Sequence, residues 1–342
     1  MSHGLADARV LPGTPLRRGV PIVFLCFAAM VIAVLAVPFV GSTPLQFTRV
    51  FSRDIPFSEN VDAQIFFVAR LPRALAAALV GGTLAAAGVV FQGLLRNPLA
   101  TPYTLGISAG ASLGAMVAIT LGAALPFGGV ASASLAGAFV AVVIVYALAR
   151  ARHSGLSTTV LLLAGVTLNA FFSALILFVQ YLSDFAQTYR ALRWLMGDLD
   201  VAGYAPILAA LPLVGIAFAA FAWLARPLNL LSLGADAAGS RGVNVLRAQR
   251  VAFFSASLAT GAAVSVGGPI GFVGIIVPHL VRLLVGADHR LVLPASIFFG
   301  ASFLTMCDAV ARTVMAPLEL PVGIITAVIG GPFFLWLLLR QR

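Results

Sequence analysis

Lysine is absent from the 342 residues; all 21 basic side chains are arginine. A Walker A phosphate loop places a lysine on the β- and γ-phosphates, so any ATP chemistry connected with this chain belongs to another polypeptide. Charge of either sign is scarce. Charged residues make up 9% of the chain and hydrophobic residues 61%, where soluble domains carry about 25% charged residues. Cysteine is nearly absent as well. Cys26 and Cys307 lie far apart in apolar runs, which gives neither a ligand spacing nor a disulfide framework. They read as small core residues. No Ser–His–Asp grouping, paired carboxylates or His/Cys cluster stands out, and His279 in IVPHLVR has no second histidine nearby. Neither a catalytic site nor a metal site is expected.

What the chain has in abundance is long apolar runs. A membrane-spanning helix needs about 20 mostly apolar residues. Such runs fall at residues 20–40, 74–95, 103–125, 129–149, 156–182, 204–225, 251–266, 271–286, 291–311 and 320–339. They are continuous rather than alternating, which argues against a β-barrel. The chain therefore reads as an all-α polytopic membrane protein of about ten transmembrane helices. Residues 1–19 form a cytoplasmic N-terminal tail and 20–342 the transmembrane domain. The run after Arg17 and Arg18 exceeds the roughly 7–15 apolar residues of a signal peptide and reads as the first retained span. The seventh and eighth runs are short and separated by Gly267, Gly268 and Pro269, so a re-entrant pair is an alternative there.

An even number of spans puts both termini on one side. With the termini in the cytoplasm, that side receives 14 arginines and three acids, and the outer side seven arginines and eight acids. The bias obeys the positive-inside rule. The basic balance thus reflects topology, and nucleic-acid binding is not implied. Two loops stand out. Residues 41–73 are extracytoplasmic and predict a short interfacial helix around 61–69. Residues 226–250 are cytoplasmic and basic, with a Gly/Ala/Ser-rich centre.

Several features carry two readings each. Gly106, Gly110 and Gly114 recur every four residues on one face of the third span, and Gly82, Ala85 and Gly88 add a small face on the second. Small residues let helices approach, either as ordinary packing or as a face beside a translocation path. Asp308 is the acid set well inside a span, with Arg312 four residues on, a spacing suited to an ion pair. Arg70 and Arg73 flank Pro72 at the outer mouth of the second span, and Arg312 belongs at the outer end of the ninth. These arginines are either interfacial anchors or contacts for an acidic docking protein. The 226–250 loop is either a solvated connection or a set of short docking helices.

Three ordered segments resemble a known family. Residues 70–115 (RLPRALAAALVGGTLAAAGVVFQGLLRNPLATPYTLGISAGASLGA), 267–290 (GGPIGFVGIIVPHLVRLLVGADHR) and 308–339 (DAVARTVMAPLELPVGIITAVIGGPFFLWLLL) are similar to signatures of the iron-chelate uptake permeases, the FecCD family. Its members import ferric siderophores, haem and vitamin B12. The likeness runs from about residue 20 to the C-terminus.

The resemblance implies a vitamin-B12-permease-like ABC importer fold of ten helices in a bacterial inner membrane. It implies a homodimer, two separate ATP-binding-cassette subunits that carry ATP and Mg, and a periplasmic or lipoprotein substrate-binding protein. No cofactor is expected on this chain. Arg70, Arg73 and Arg312 match arginines that meet glutamates of the binding protein. Asn97 and Leu99, in RNPLA, match a cytoplasmic gate, and Ser157 and Thr158 fall where a second constriction is expected. Residues 233–247 match the coupling helices that meet the ATPase, with Gly234, Gly239 and Gly242 shaping the turn. The implied function is permease for a ferric siderophore or haem, with cobalamin the alternative cargo. An ion-coupled secondary transporter and a non-transporting scaffold or receptor are alternatives of other classes. The segment 178–204 identifies no ligand.

Overall fold

A computed structural model describes residues 16–122, 129–150, 158–201 and 203–340. Fourteen α-helices occur among them: α1 (Leu16–Ala36), α2 (Phe47–Val50), α3 (Val61–Gln64), α4 (Leu71–Leu95), α5 (Ile107–Leu121), α6 (Gly129–Arg150), α7 (Thr158–Tyr181), α8 (Phe185–Leu195), α9 (Ala205–Leu231), α10 (Ala235–Gly239), α11 (Val245–Gly267), α12 (Val273–Val285), α13 (His289–Thr313) and α14 (Val322–Arg340). A 3₁₀ turn (Val37–Phe39) follows α1, and a π-helical stretch (Ile65–Arg70) joins α3 to α4. No strand occurs among the described residues.

Seven helices are long and apolar enough to cross a membrane. Three shorter apolar ones, α5, α12 and the described part of α14, fall on the remaining spans, so ten apolar helices stand where the sequence places ten. Their environments differ sharply. Only 17% of the α1 span is buried, against 83% of the span that ends in α4. Phe24, Leu25 and Ile32 on α1 are at least 65% exposed. A helix apolar on every side needs an apolar solvent where it is exposed, and for α1 that solvent is lipid. The same all-round apolarity in α4 is answered by protein, since α4 packs against α13, α11, α12 and α9.

Missing side chains make this central position possible. A Cβ at Gly81 would collide with the Gly300 carbonyl of α13, and one at Gly88 with the Gly274 carbonyl of α12. Close backbone approach of this kind drives helix association where lipid removes the hydrophobic incentive.

Four boundaries depart from the sequence reading. The helix expected around 61–69 is the start of the α4 span, because α3, the π stretch and α4 are continuous. α9 runs on to Leu231 and α11 begins at Val245, so only residues 232–244 leave the bundle within the loop expected at 226–250. α12, at 13 residues, is about 20 Å long, short of a hydrocarbon core of about 30 Å. Gly268, in the connection before it, meets Trp194 and Gly197, so α12 starts within the bundle rather than at its surface. α8 is an added helix, closed by a capping box between Asp184 and Gln187. The two native cysteines are free and buried.

Candidate functional site

The two ends of the bundle differ. At one end, three distant segments bring Arg70, Arg73 and Arg312 together. Aromatic contacts fold the turn after α1 onto the π stretch: Phe39 lies 4.8 Å from Phe66 and 5.5 Å from Phe47, centroid to centroid, and Phe51 lies 5.8 Å from Phe66. This packing turns the carbonyls of residues 37–43 towards the arginines. Arg70 donates to the carbonyls of Pro38 (3.3 Å) and Thr43 (2.6 Å). Arg312 donates to those of Val40 (3.0 Å) and Val37 (3.4 Å).

Asp308 stands at the centre with no exposure. Its Oδ1 accepts from Arg73 Nε at 2.9 Å and its Oδ2 from Arg312 Nε at 3.1 Å. The i,i+4 pair expected on α13 is therefore present, and Arg73 of α4 completes a triad across two helices. Arg73 Nη1 also donates to Glu319 Oε2, in the loop before α14. The arginines themselves are only 7%, 8% and 3% exposed. Most of what they touch is internal, a feature their position at a span's mouth does not reveal. Sequence reasoning missed Glu319 altogether. Its distance of 246 positions from Arg73 leaves no local pattern to read.

At the opposite end lie the other candidates. Asn97 sits in the turn after α4, where its Oδ1 accepts from the Leu99 N–H at 2.9 Å. Leu99 is 43% exposed. The turn begins with Arg96 in the left-handed conformation (φ 49°). Thr158 is the first residue of α7, and Ser157 lies outside the described residues. Gly106 is in the left-handed conformation just before α5 and faces Gly165 of α7, whereas Gly110 and Gly114 face α6 at Gly137 and Ala133. The three glycines thus serve two helix contacts rather than one face.

α10 leaves the bundle between α9 and α11 and packs on both. Gly234 (φ 113°) leads into it and Gly242 (φ 83°) follows it. Beyond α10 the Val243 N–H bonds to the Ala238 carbonyl at 3.1 Å, and the Gly242 N–H to the Gly239 carbonyl at 3.0 Å. This is a Schellman motif with glycine at the left-handed position. Gly239 is helical and has open space around its Cβ direction. Nearby, Asn229 of α9 donates to Asp288 at 2.6 Å and accepts from the His289 N–H at 2.9 Å. These bonds tie the last turns of α9 to the start of α13. Gln92 of α4 similarly accepts from Arg282 and donates to the Gly274 carbonyl (3.0 Å). Both knots escaped the sequence reading, because single amides in apolar helices carry no periodic signal.

No group of three or more His, Cys, Asp or Glu residues placed to hold a metal occurs among the described residues.

The model of the FecCD transport family matches residues 28–340. The hemin transport system permease protein HmuU of Yersinia pestis is 43% identical over 277 residues, covering 80% of this chain and 82% of the relative. The cobalamin import system permease protein BtuC of Halobacterium salinarum is 43% identical over 296 residues, covering 86% of this chain and 79% of the relative. An ABC transporter permease protein of Bacillus subtilis, YvrB, is 41% identical over 292 residues, covering 84% of this chain and 81% of the relative. Among solved structures, an inward-facing metal-chelate-type ABC transporter superposes with a TM-score of 0.79 at 33% identity, covering 94% of this chain and 99% of the other.

Proposed function

The chain belongs to the FecCD transport family, and we propose that it is the permease subunit of an ATP-binding-cassette importer that moves a ferric siderophore or haem into the cytoplasm. The observation that carries this reading is the two-ended layout. A buried arginine cluster stands at one end of the bundle, an exposed short helix at the other, and α13 runs between them. The likeness to HmuU and to a metal-chelate-type transporter supports the cargo class.

In this reading the arginine end faces outward and receives a substrate-binding protein through Arg70, Arg73 and Arg312. α10, framed by Gly234, Gly239 and Gly242, meets one of two ATPase subunits, which hold ATP and Mg. Two copies of the chain enclose the path, as closed two-fold symmetry allows. Closure of the ATPases pushes α10, which bears on α9 and α11. The Asn229 bonds pass that push to α13, and the bundle exchanges one packed state for another. Asn97, Leu99, Ser157 and Thr158 border the cytoplasmic gate, and both termini lie in the cytoplasm beneath a bacterial inner membrane. The chain itself binds no cofactor.

Cobalamin is the second cargo, favoured by the similarity to the Halobacterium permease. An ion-coupled carrier is the competitor from another class. Intramembrane acids mark ion routes when they are available to the ion, but Asp308 is engaged by two arginines.

Uptake of labelled ferric siderophore, haem and cobalamin, in cells with and without this gene, tests the proposal. Loss of siderophore or haem uptake on deletion is expected, and that uptake should stop when ATP is depleted under a maintained membrane potential. Loss confined to cobalamin would replace the cargo. Uptake that survives ATP depletion would favour the ion-coupled class.

A further inference from the structure

The three arginines that the proposed function assigns to docking differ in what holds them, and the difference singles out one contact. Arg70 and Arg312 spend their guanidinium donors on backbone carbonyls and, for Arg312, on Asp308. Backbone acceptors fixed by the aromatic packing cannot leave without dismantling the turn. Asp308 is fully buried and shared between two arginines, so it cannot leave either. The Arg73–Glu319 pair is of another kind. Glu319 approaches from a loop, its side chain is 42% exposed, and Arg73 is its partner. A half-exposed carboxylate on a single guanidinium is exchangeable, because water can take over its hydrogen bonds while Arg73 keeps Asp308 as a partner.

The setting of Glu319 makes exchange of its side chain cheap. The Leu320 N–H donates to the Ala311 carbonyl at 3.0 Å, and α14 starts at Val322. The backbone beside Glu319 is thus anchored, and the carboxylate can swing away by side-chain rotation alone. Around it Val314, Met315 and Leu318 are 63%, 51% and 68% exposed. The surface is an apolar rim with one removable carboxylate at its edge and a buried cation beneath.

We propose that Glu319 is an internal stand-in for the docking protein's carboxylate: it occupies Arg73 while the permease is free, and an incoming carboxylate displaces it as the partner covers the apolar rim. This rests on the docking reading above and adds to it a residue that sets the strength of docking. Between encounters Arg73 thus has a carboxylate of its own beside the Asp308 it shares with Arg312. Docking becomes an exchange of one carboxylate for another.

The test uses the complete transporter in nanodiscs. The probe is the host's chelate-binding protein that most raises ATP hydrolysis by the wild-type complex, and docking is measured by surface plasmon resonance. Glu319→Gln removes the competing charge and should tighten docking by about two- to fivefold, the range of an ion pair whose carboxylate water can reach. Glu59→Gln, a neutralisation in the loop preceding α3, controls for the general gain in positive charge and should leave docking within error. Equal gains in the two variants would reduce the effect to bulk electrostatics and overturn the stand-in role. Unchanged or weaker docking of Glu319→Gln would also overturn it. If no chelate-binding protein docks on the wild-type complex, the docking reading itself falls, and the stand-in with it.

Discussion

Replacing Asp308 by asparagine would remove the charge shared by Arg73 and Arg312 while keeping the shape of the side chain. Two guanidinium groups would then sit in a buried site with less than their full complement of acceptors. Breaking a buried ion pair from one side costs about 3–5 kcal/mol. Asp308→Asn should therefore unfold at a clearly lower temperature in detergent than the wild type, whereas Cys307→Ser, at a buried neighbour outside the ion cluster, should fall less. Equal melting of Asp308→Asn and wild type would show that the triad contributes little to stability. The same chemistry warns against the obvious docking mutants. Charge reversal at Arg73 or Arg312 would put three carboxylates around one buried point, so lost docking could not be told from lost fold. This part of the site was half legible in the sequence. The spacing of Asp308 and Arg312 shows their pairing, and the sequence also places Arg70, Arg73 and Arg312 at one side of the membrane. The carbonyls of residues 37–43 and the carboxylate of Glu319 are invisible there, because distant segments supply them and backbone acceptors have no sequence signature.

Long apolar runs carry most of the information about the elements, and ten of them mark the ten apolar helices. The shorter features were less readable. α8 is amphipathic and lies in a polar stretch, and continuity through the π segment depends on packing rather than composition. In the 232–244 connection the glycines look alike in sequence but differ in backbone conformation, and a prediction follows from that contrast. Gly242 closes the Schellman motif at φ 83°, where a Cβ costs about 1–2 kcal/mol. Gly239 is helical with open space beside it, where alanine gains about 0.5–1 kcal/mol. Gly242→Ala should weaken binding of the ATPase subunit by about tenfold, and Gly239→Ala should leave it unchanged or tighter. These affinities are measurable by titrating purified ATPase subunit onto the permease in nanodiscs. Identical behaviour of the two variants would show that the turn does not shape the ATPase contact.

At the scale of the whole molecule the proposal depends on orientation, since inward-facing arginines could not meet an outside partner. The distribution of charge favours outward-facing arginines: the proposed topology puts 14 arginines on the cytoplasmic side and seven on the other, in keeping with the positive-inside rule. One member of that count, Arg282, lies within α12 and is bonded to Gln92. The bias survives its removal. Cys26 and Cys307 are 6% and 3% exposed, which leaves a quiet background for introduced thiols. Ser58 and Ser240 are both exposed, one in the loop preceding α3 and the other directly after α10. In right-side-out membrane vesicles an impermeant maleimide should label Ser58→Cys at once and Ser240→Cys only after permeabilisation. The reverse pattern would turn the bundle over. It would place α10 outside, beyond reach of ATP, and the arginine cluster inside, so import driven by a cytoplasmic ATPase through α10 would no longer be possible. Labelling in the expected order would fix the direction in which α13 joins the two ends, from His289 near α10 outward to Arg312.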